Sequence, residues 1–120
     1  MAGPYTAPTI EEIESNVQEA IDAAITIWKK GHFPMIPHLL HWVDLRAKET
    51  GVPMGWEDYM IWDAPWLDDC NALFLLGKSK GALFEYERAK EEGKIIFHSL
   101  EEIPTVERAR TWADKHTAEG

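Results

Sequence analysis

Apolar residues recur at helical spacing through the first part of the chain. Ile10, Ile13, Val17, Ile21, Ala24, Ile25 and Trp28 form one stripe, Thr9 and Glu12 make a capping box, and Gly31 ends the pattern, so a helix is predicted over 10–30. Phe33 to Pro37 is a short apolar segment between Gly31-His32 and His38, which predicts a buried parallel strand. His38 to Lys48 reads as helical and stops at Thr50-Gly51-Val52-Pro53. A second helical stretch, Trp56 to Cys70, carries Trp56, Tyr59, Met60, Trp62, Trp66 and Leu67, and Pro65 predicts a kink or a fresh start within it. Ala72 to Leu76, flanked by Asn71 and Gly77, is the strongest buried strand. Ser79 to Glu92 predicts a helix closed by Gly93. Lys94 to His98 predicts another strand, and Pro104 to His116 a terminal helix with proline in its first turn.

Strands alternating with helices predict an α/β fold, a three-layer parallel sheet with right-handed crossovers. Its expected size is four strands, or five if one precedes Ala2, in a single domain over 1–120. Ligands of such sheets sit beyond the carboxyl ends of the strands. Ala2 to Thr6, Pro37-His38 and Gly77 to Gly81 have that position.

Composition narrows the chemistry. With 120 residues, 45% of them hydrophobic, there is material for one core. The net charge of −9 removes any broad basic surface, so a nucleic-acid polymer is not expected as a partner. One phosphorylated small molecule stays compatible, because a helix N-terminus and a cation or two can hold it. Cys70 is the only cysteine, which excludes an intrachain disulfide or a multi-cysteine zinc site and fits a reducing, cytoplasmic setting. No apolar run approaches the about 18 to 20 residues of a membrane span, and Met1 to Thr9 lacks the pattern of a signal peptide.

Glu85 is the odd residue of its helix. Gly81, Ala82, Glu85 and Ala89 share one face at helical spacing, so a carboxylate lies on a stripe of very small side chains that leaves room for a ligand. Partial burial there raises a carboxyl pKa. The alternative is a solvated helix carboxylate like Glu87 or Glu91. Ser79 stands at an N-cap position and Gly81 lets backbone N–H groups approach an anion, although plain capping accounts for Ser79 as well.

Four ordered segments carry a resemblance. Ala2-Gly3-Pro4-Tyr5-Thr6 is followed by Gly31-His32 through Pro37-His38-Leu39. Asp63-x-x-Trp66-Leu67-x-x-Cys70-Asn71-Ala72-Leu73 comes next, then Ser79-Lys80-Gly81-Ala82-x-x-Glu85-x-x-x-Ala89. Over residues 2 to about 103 the set resembles the nucleoside 2-deoxyribosyltransferase superfamily, in particular its small bacterial and phage branch. The resemblance implies a flavodoxin-like (Rossmann-like) sheet and a double displacement in which Glu85 attacks the anomeric carbon. Tyr5 would orient Glu85, and Asp63 would contact and protonate the leaving base. Serine at position 79 makes the chain similar to nucleoside 5′-monophosphate N-hydrolases, with Ser79 on the phosphate and Lys80, Gly81, Gly3, Pro4 and His38 as further substrate contacts. No cofactor and no metal is expected, and the implied assembly is a homodimer or larger homo-oligomer. Deoxyribosyl transfer, or a non-catalytic nucleotide-binding sensor, are the alternatives.

Two other groups bear on the reading. His38, His41 and Asp44, at i, i+3 and i+6, could meet on a helix as metal ligands, though no second cluster supports them. His32 and His98 read as ordinary turn and strand-end residues. Trp56, Trp62 and Trp66 belong either to the core or, partly exposed, to a subunit interface or base-stacking wall.

Overall fold

A computed structural model of the chain describes residues 9–77 and 80–108, with Lys80 and Gly81 described by their backbone alone. Helix α1 spans Ile10–Lys29, and the Thr9 hydroxyl accepts the Glu12 N–H at 3.2 Å, as the cap predicts. The buried stripe of α1 is Val17, Ala20, Ala23, Ala24 and Ile27, whereas Ile10, Ile25 and Trp28 are exposed. Alanines let the helix approach its neighbours more closely than isoleucines would, so packing turns the small residues inward.

A 3₁₀ turn, Pro37–Leu39, leads into α2, Leu40–Glu49. Helix α3 spans Trp56–Asp69 and continues through Pro65. Strand β1 is Ala72–Phe74, α4 is Lys80–Glu91 and β2 is Ile95–Phe97. The strands pair in parallel, with Ala72, Leu73 and Phe74 opposite Ile95, Ile96 and Phe97. Alternation then divides the side chains between two faces. Phe74, Leu76 and Phe97 pack with α1, while Leu73, Leu75 and Ile96 pack with α3 and α4 through Leu67, Ala82 and Ala89.

The expected parallel sheet of four to five strands is not what forms. The described chain is mostly helical and its sheet has two strands. Phe33 to Pro37 pairs with no strand among the described residues, and a physical reason is visible in its composition. Pro34 and Pro37 have no N–H to give to a ladder, and Phe33 is left exposed. A strand before Ala2 would lie outside the described residues. The predicted terminal helix also fails where it can be seen, because 104–108 is irregular and 109–116 lies outside the described residues. Tertiary bonds claim this segment instead. The Val106 N–H donates to the Lys30 carbonyl at 2.8 Å, the Lys30 ammonium donates to the Leu100 and Ile103 carbonyls, and Arg108 stacks over the Trp28 ring. Gly31 makes this crossing possible: it adopts φ +101°, and a Cβ there would sit 2.0 Å from the Val106 carbonyl oxygen. No helix among the described residues is long and apolar enough to cross a membrane.

Candidate active site

Asp63 lies one turn before Leu67 on α3, so both point the same way. Leu67 is buried with Leu73, Ala82 and Ala89, which fixes that face of α3 against α4 and the sheet. On α4, Ala82, Glu85 and Ala89 share the face that meets α3, and packing the two small residues carries the carboxylate in with them. Glu85 is 7% exposed and Asp63 is 6% exposed, whereas Glu87 and Glu91 on the same helix are exposed. Glu85 is therefore not one more solvated helix carboxylate.

Burial has electrostatic consequences. Desolvation pushes the Asp63 carboxyl up to about 6. Desolvation pushes Glu85 up to about 7, against the positive charge of the N-terminal amino group and with a smaller push from the charge of Asp63. Asp63 Oδ1 has no hydrogen-bond partner among the described residues. No described Lys, Arg or His forms an ion pair with either group. Two carboxyls that titrate near neutrality within reach of each other's field suit a division of labour, one ionised to attack or accept and one protonated to donate.

The other predicted site residues are distributed less informatively. Gly3, Pro4, Tyr5 and Ser79 lie outside the described residues, and Lys80 and Gly81 open α4. His38 is buried in the 3₁₀ turn ahead of α2. The His38, His41 and Asp44 trio does not converge. The His41 Nε2 lies 3.7 Å from Glu14 on α1, while Asp44 accepts from the Tyr59 hydroxyl at 2.8 Å and pairs with Lys48 at 3.0 Å. Among the described residues no group of three His, Cys, Asp or Glu could hold a metal. His32 Nε2 lies 2.7 Å from the Pro104 carbonyl oxygen, a turn tie. Trp56, Trp62 and Trp66 are all partly exposed, so they are not core residues.

Sequence reasoning missed an ion network at the far end of α3. Arg88 donates from Nε and Nη2 to the two Asp68 carboxylate oxygens at 2.9 and 2.8 Å, and pairs with Glu92 at 3.3 Å. The i, i+4 spacing of Arg88 and Glu92 was readable, but Asp68 belongs to another helix and no local pattern links it to Arg88.

A separate cleft of about 480 Å³ is lined by Ile27, Phe33, Met35, Phe74, Phe97 and neighbouring residues, and neither Asp63 nor Glu85 reaches it. Two of its polar residues are already engaged, His32 by Pro104 and the Cys70 thiol by the Trp66 carbonyl at 3.2 Å. Among the described residues the carboxyl pair is the stronger candidate, since it combines reactive groups with burial that raises their pKa values.

Residues 2–98 match a family model described as Domain of unknown function (DUF4406), a span well over half of the chain. No curated protein and no solved structure gives a significant match.

Proposed function

We propose that this chain, which belongs to the DUF4406 family, is a cytoplasmic N-glycosidase that hydrolyses the base–sugar bond of a nucleoside 5′-monophosphate. The observation that supports this best is the pair of buried carboxyls, Asp63 and Glu85, on helices packed against each other. In this reading the ionised Glu85 carboxylate forms a bond to the anomeric carbon as the carbon–nitrogen bond breaks. The electron pair leaves with the base, whose nitrogen takes the proton held by Asp63. Water then attacks the same carbon, Glu85 departs as carboxylate, and Asp63 recovers a proton from the water. The start of α4, with Ser79, Lys80 and Gly81, is assigned to the 5′-phosphate, and Tyr5 to orienting Glu85. The exposed Trp62 and Trp66, which flank Asp63 in sequence, are assigned to the interface of a homo-oligomer.

The test is to incubate the protein with ribo- and deoxyribonucleoside monophosphates and follow free base. Release from at least one is expected, and no release from any would sink the reading. Adding a second free base to the same reactions separates hydrolysis from transfer, because transfer yields a new nucleotide.

A further inference from the structure

Long-range bonds lock the walls of the cleft of about 480 Å³. One wall is the turn after α1 and another the segment from Ile103 to Glu107. The Val106 N–H donates to the Lys30 carbonyl at 2.8 Å, His32 Nε2 lies 2.7 Å from the Pro104 carbonyl oxygen, and the Lys30 ammonium donates to the Ile103 carbonyl at 3.0 Å. Ile27, Phe74 and Phe97, which line the cleft, belong to the apolar cluster on the α1 side of the sheet. The volume lies within the range of about 300 to 1,000 Å³ of small-molecule sites, and walls fixed in advance spare a ligand the cost of ordering them. The charge that lines the cleft has one sign. Asp69 and Glu107 line it, and among the described residues no lysine or arginine does. Lys30 is committed to the Leu100 and Ile103 carbonyls, Lys94 to the Asp68 and Cys70 carbonyls and to Glu92, and Arg108 to the Trp28 ring and carbonyl. Neither Asp69 nor Glu107 forms an ion pair among the described residues. Asp69 is also the last residue of α3, where the helix dipole is already negative and the last turn holds no basic residue, so its charge gains nothing from the helix.

We infer that this cleft binds a small organic cation with an apolar body, the body against Ile27, Phe74 and Phe97 and the cationic head towards Asp69 and Glu107. Each part of that ligand answers one feature of the cleft. An apolar body removes water from the aliphatic and aromatic walls. A positive head recovers at two carboxylates part of the solvation it gives up, and the phenylalanine rings attract it as well. Both acids are exposed, so the head stays at the surface while the body is covered, and the ligand has to be amphipathic. A neutral molecule of the same shape gains the apolar contact alone. An anion meets two like charges, which excludes a nucleoside monophosphate from this cleft. The inference therefore concerns a second site and rests neither on the carboxyls of α3 and α4 nor on the activity proposed for them.

The experiment is an NMR titration of the isotope-labelled full chain near neutral pH with 2-phenylethylamine, which is a cation there. Its neutral and anionic counterparts are 2-phenylethanol and 3-phenylpropionate. The amine is expected to shift the signals of Ile27, Phe74, Phe97 and Ile103, and to bind on the order of tenfold more tightly than the alcohol, as two partly screened ion pairs allow. The propionate should bind most weakly. Combining Asp69→Asn with Glu107→Gln, both at exposed positions, should bring the amine down to the affinity of the alcohol and leave the alcohol unchanged. No shift at the four lining residues, equal affinity for the three probes, or a preference for the amine that survives the double variant would overturn the cation site. The comparison of the three probes on the wild type decides even if the variant does not fold.

Discussion

Helices α3 and α4 carry acidic residues into the same neighbourhood twice and treat them in opposite ways. At the end of α3, Asp68 receives a two-pronged contact from Arg88, and Lys94 donates to the Asp68 and Cys70 carbonyls and pairs with Glu92. The hydrogen bond from Arg88 holds the Asp68 carboxyl below its usual range. Five residues earlier Asp63 is buried, as is Glu85 on α4, and burial raises both. Side-chain cations are thus paired where solvent already screens the charges, while no described Lys, Arg or His forms an ion pair with the buried carboxyls. Selection for stability alone would place the arginine at the buried pair, or replace the pair with apolar residues. Keeping two costly carboxyls beside an available cation points to chemistry at that position.

The sharpest way to break this contrast is to remove the buried charge. Glu85→Gln keeps size and most hydrogen bonding but removes the proposed nucleophile, so under that reading base release should fall by several orders of magnitude while ligand binding largely survives. Asp63→Asn should cost on the order of 10² to 10⁴-fold, the range of general acid help. Turnover retained in Glu85→Gln would show that its burial serves something other than covalent catalysis.

The next effect is on stability. Glu85 and Asp63 have folded-state values above the ordinary 4.5 and 3.8, so the folded protein binds protons more tightly than the unfolded chain. Their contribution is fully present below pH 4 and is lost as pH rises through about 6 and 7. For Glu85 the loss approaches roughly 3 kcal/mol by pH 8. An amide in its place carries no such pH dependence, so Glu85→Gln should unfold at higher urea than the wild type at pH 8, with the advantage shrinking towards pH 4. Urea midpoints at the two pH values measure it, and a wild-type midpoint that stays flat from pH 5 to 8 contradicts the burial of the pair.

How much of this was legible beforehand depends on the range of the forces involved. Helix α1 and its Thr9 cap, the span of α4 and the pairing-competent run at Ala72 follow from local pattern, and all appear within a residue or two. Glu85 was legible for the same reason, because a carboxylate on a Gly and Ala stripe is a local anomaly whose burial follows from packing its neighbours. Phe33 to Pro37 misled because apolar composition was given more weight than its two prolines, which cannot feed a ladder. Pro104 to Arg108 misled because its structure is set by Lys30, Gly31 and Trp28, some 75 residues away in sequence and invisible to any window. Asp68 and Arg88 escaped for the same reason. The pairing of Asp63 with Glu85 came only from the resemblance, since nothing local says that two distant helices meet face to face.

The smallest expected effect tests the other half of the contrast. Arg88→Gln removes the guanidinium from the wet end of the helix pair while keeping a long polar side chain that can still cover α3. Arg88 and Asp68 are both more than a third exposed, so water and salt already screen their attraction and little stability is at stake. A slightly lower urea midpoint is expected at low ionic strength, and the difference should vanish in high salt. Its pH signature has the opposite sign to that of the buried pair. Asp68 is depressed in the folded state, so its contribution is present above the ordinary carboxylate range and is lost only as pH falls below it. Between pH 5 and 8 the variant and the wild type should therefore run parallel, and base release should be unchanged. The decisive reading is the Glu85 titration in Arg88→Gln. If its midpoint stays near 7, the guanidinium serves the exposed end alone. If it rises clearly, Arg88 was neutralising Glu85 from one turn away, and the two ends of the helix pair are one electrostatic unit.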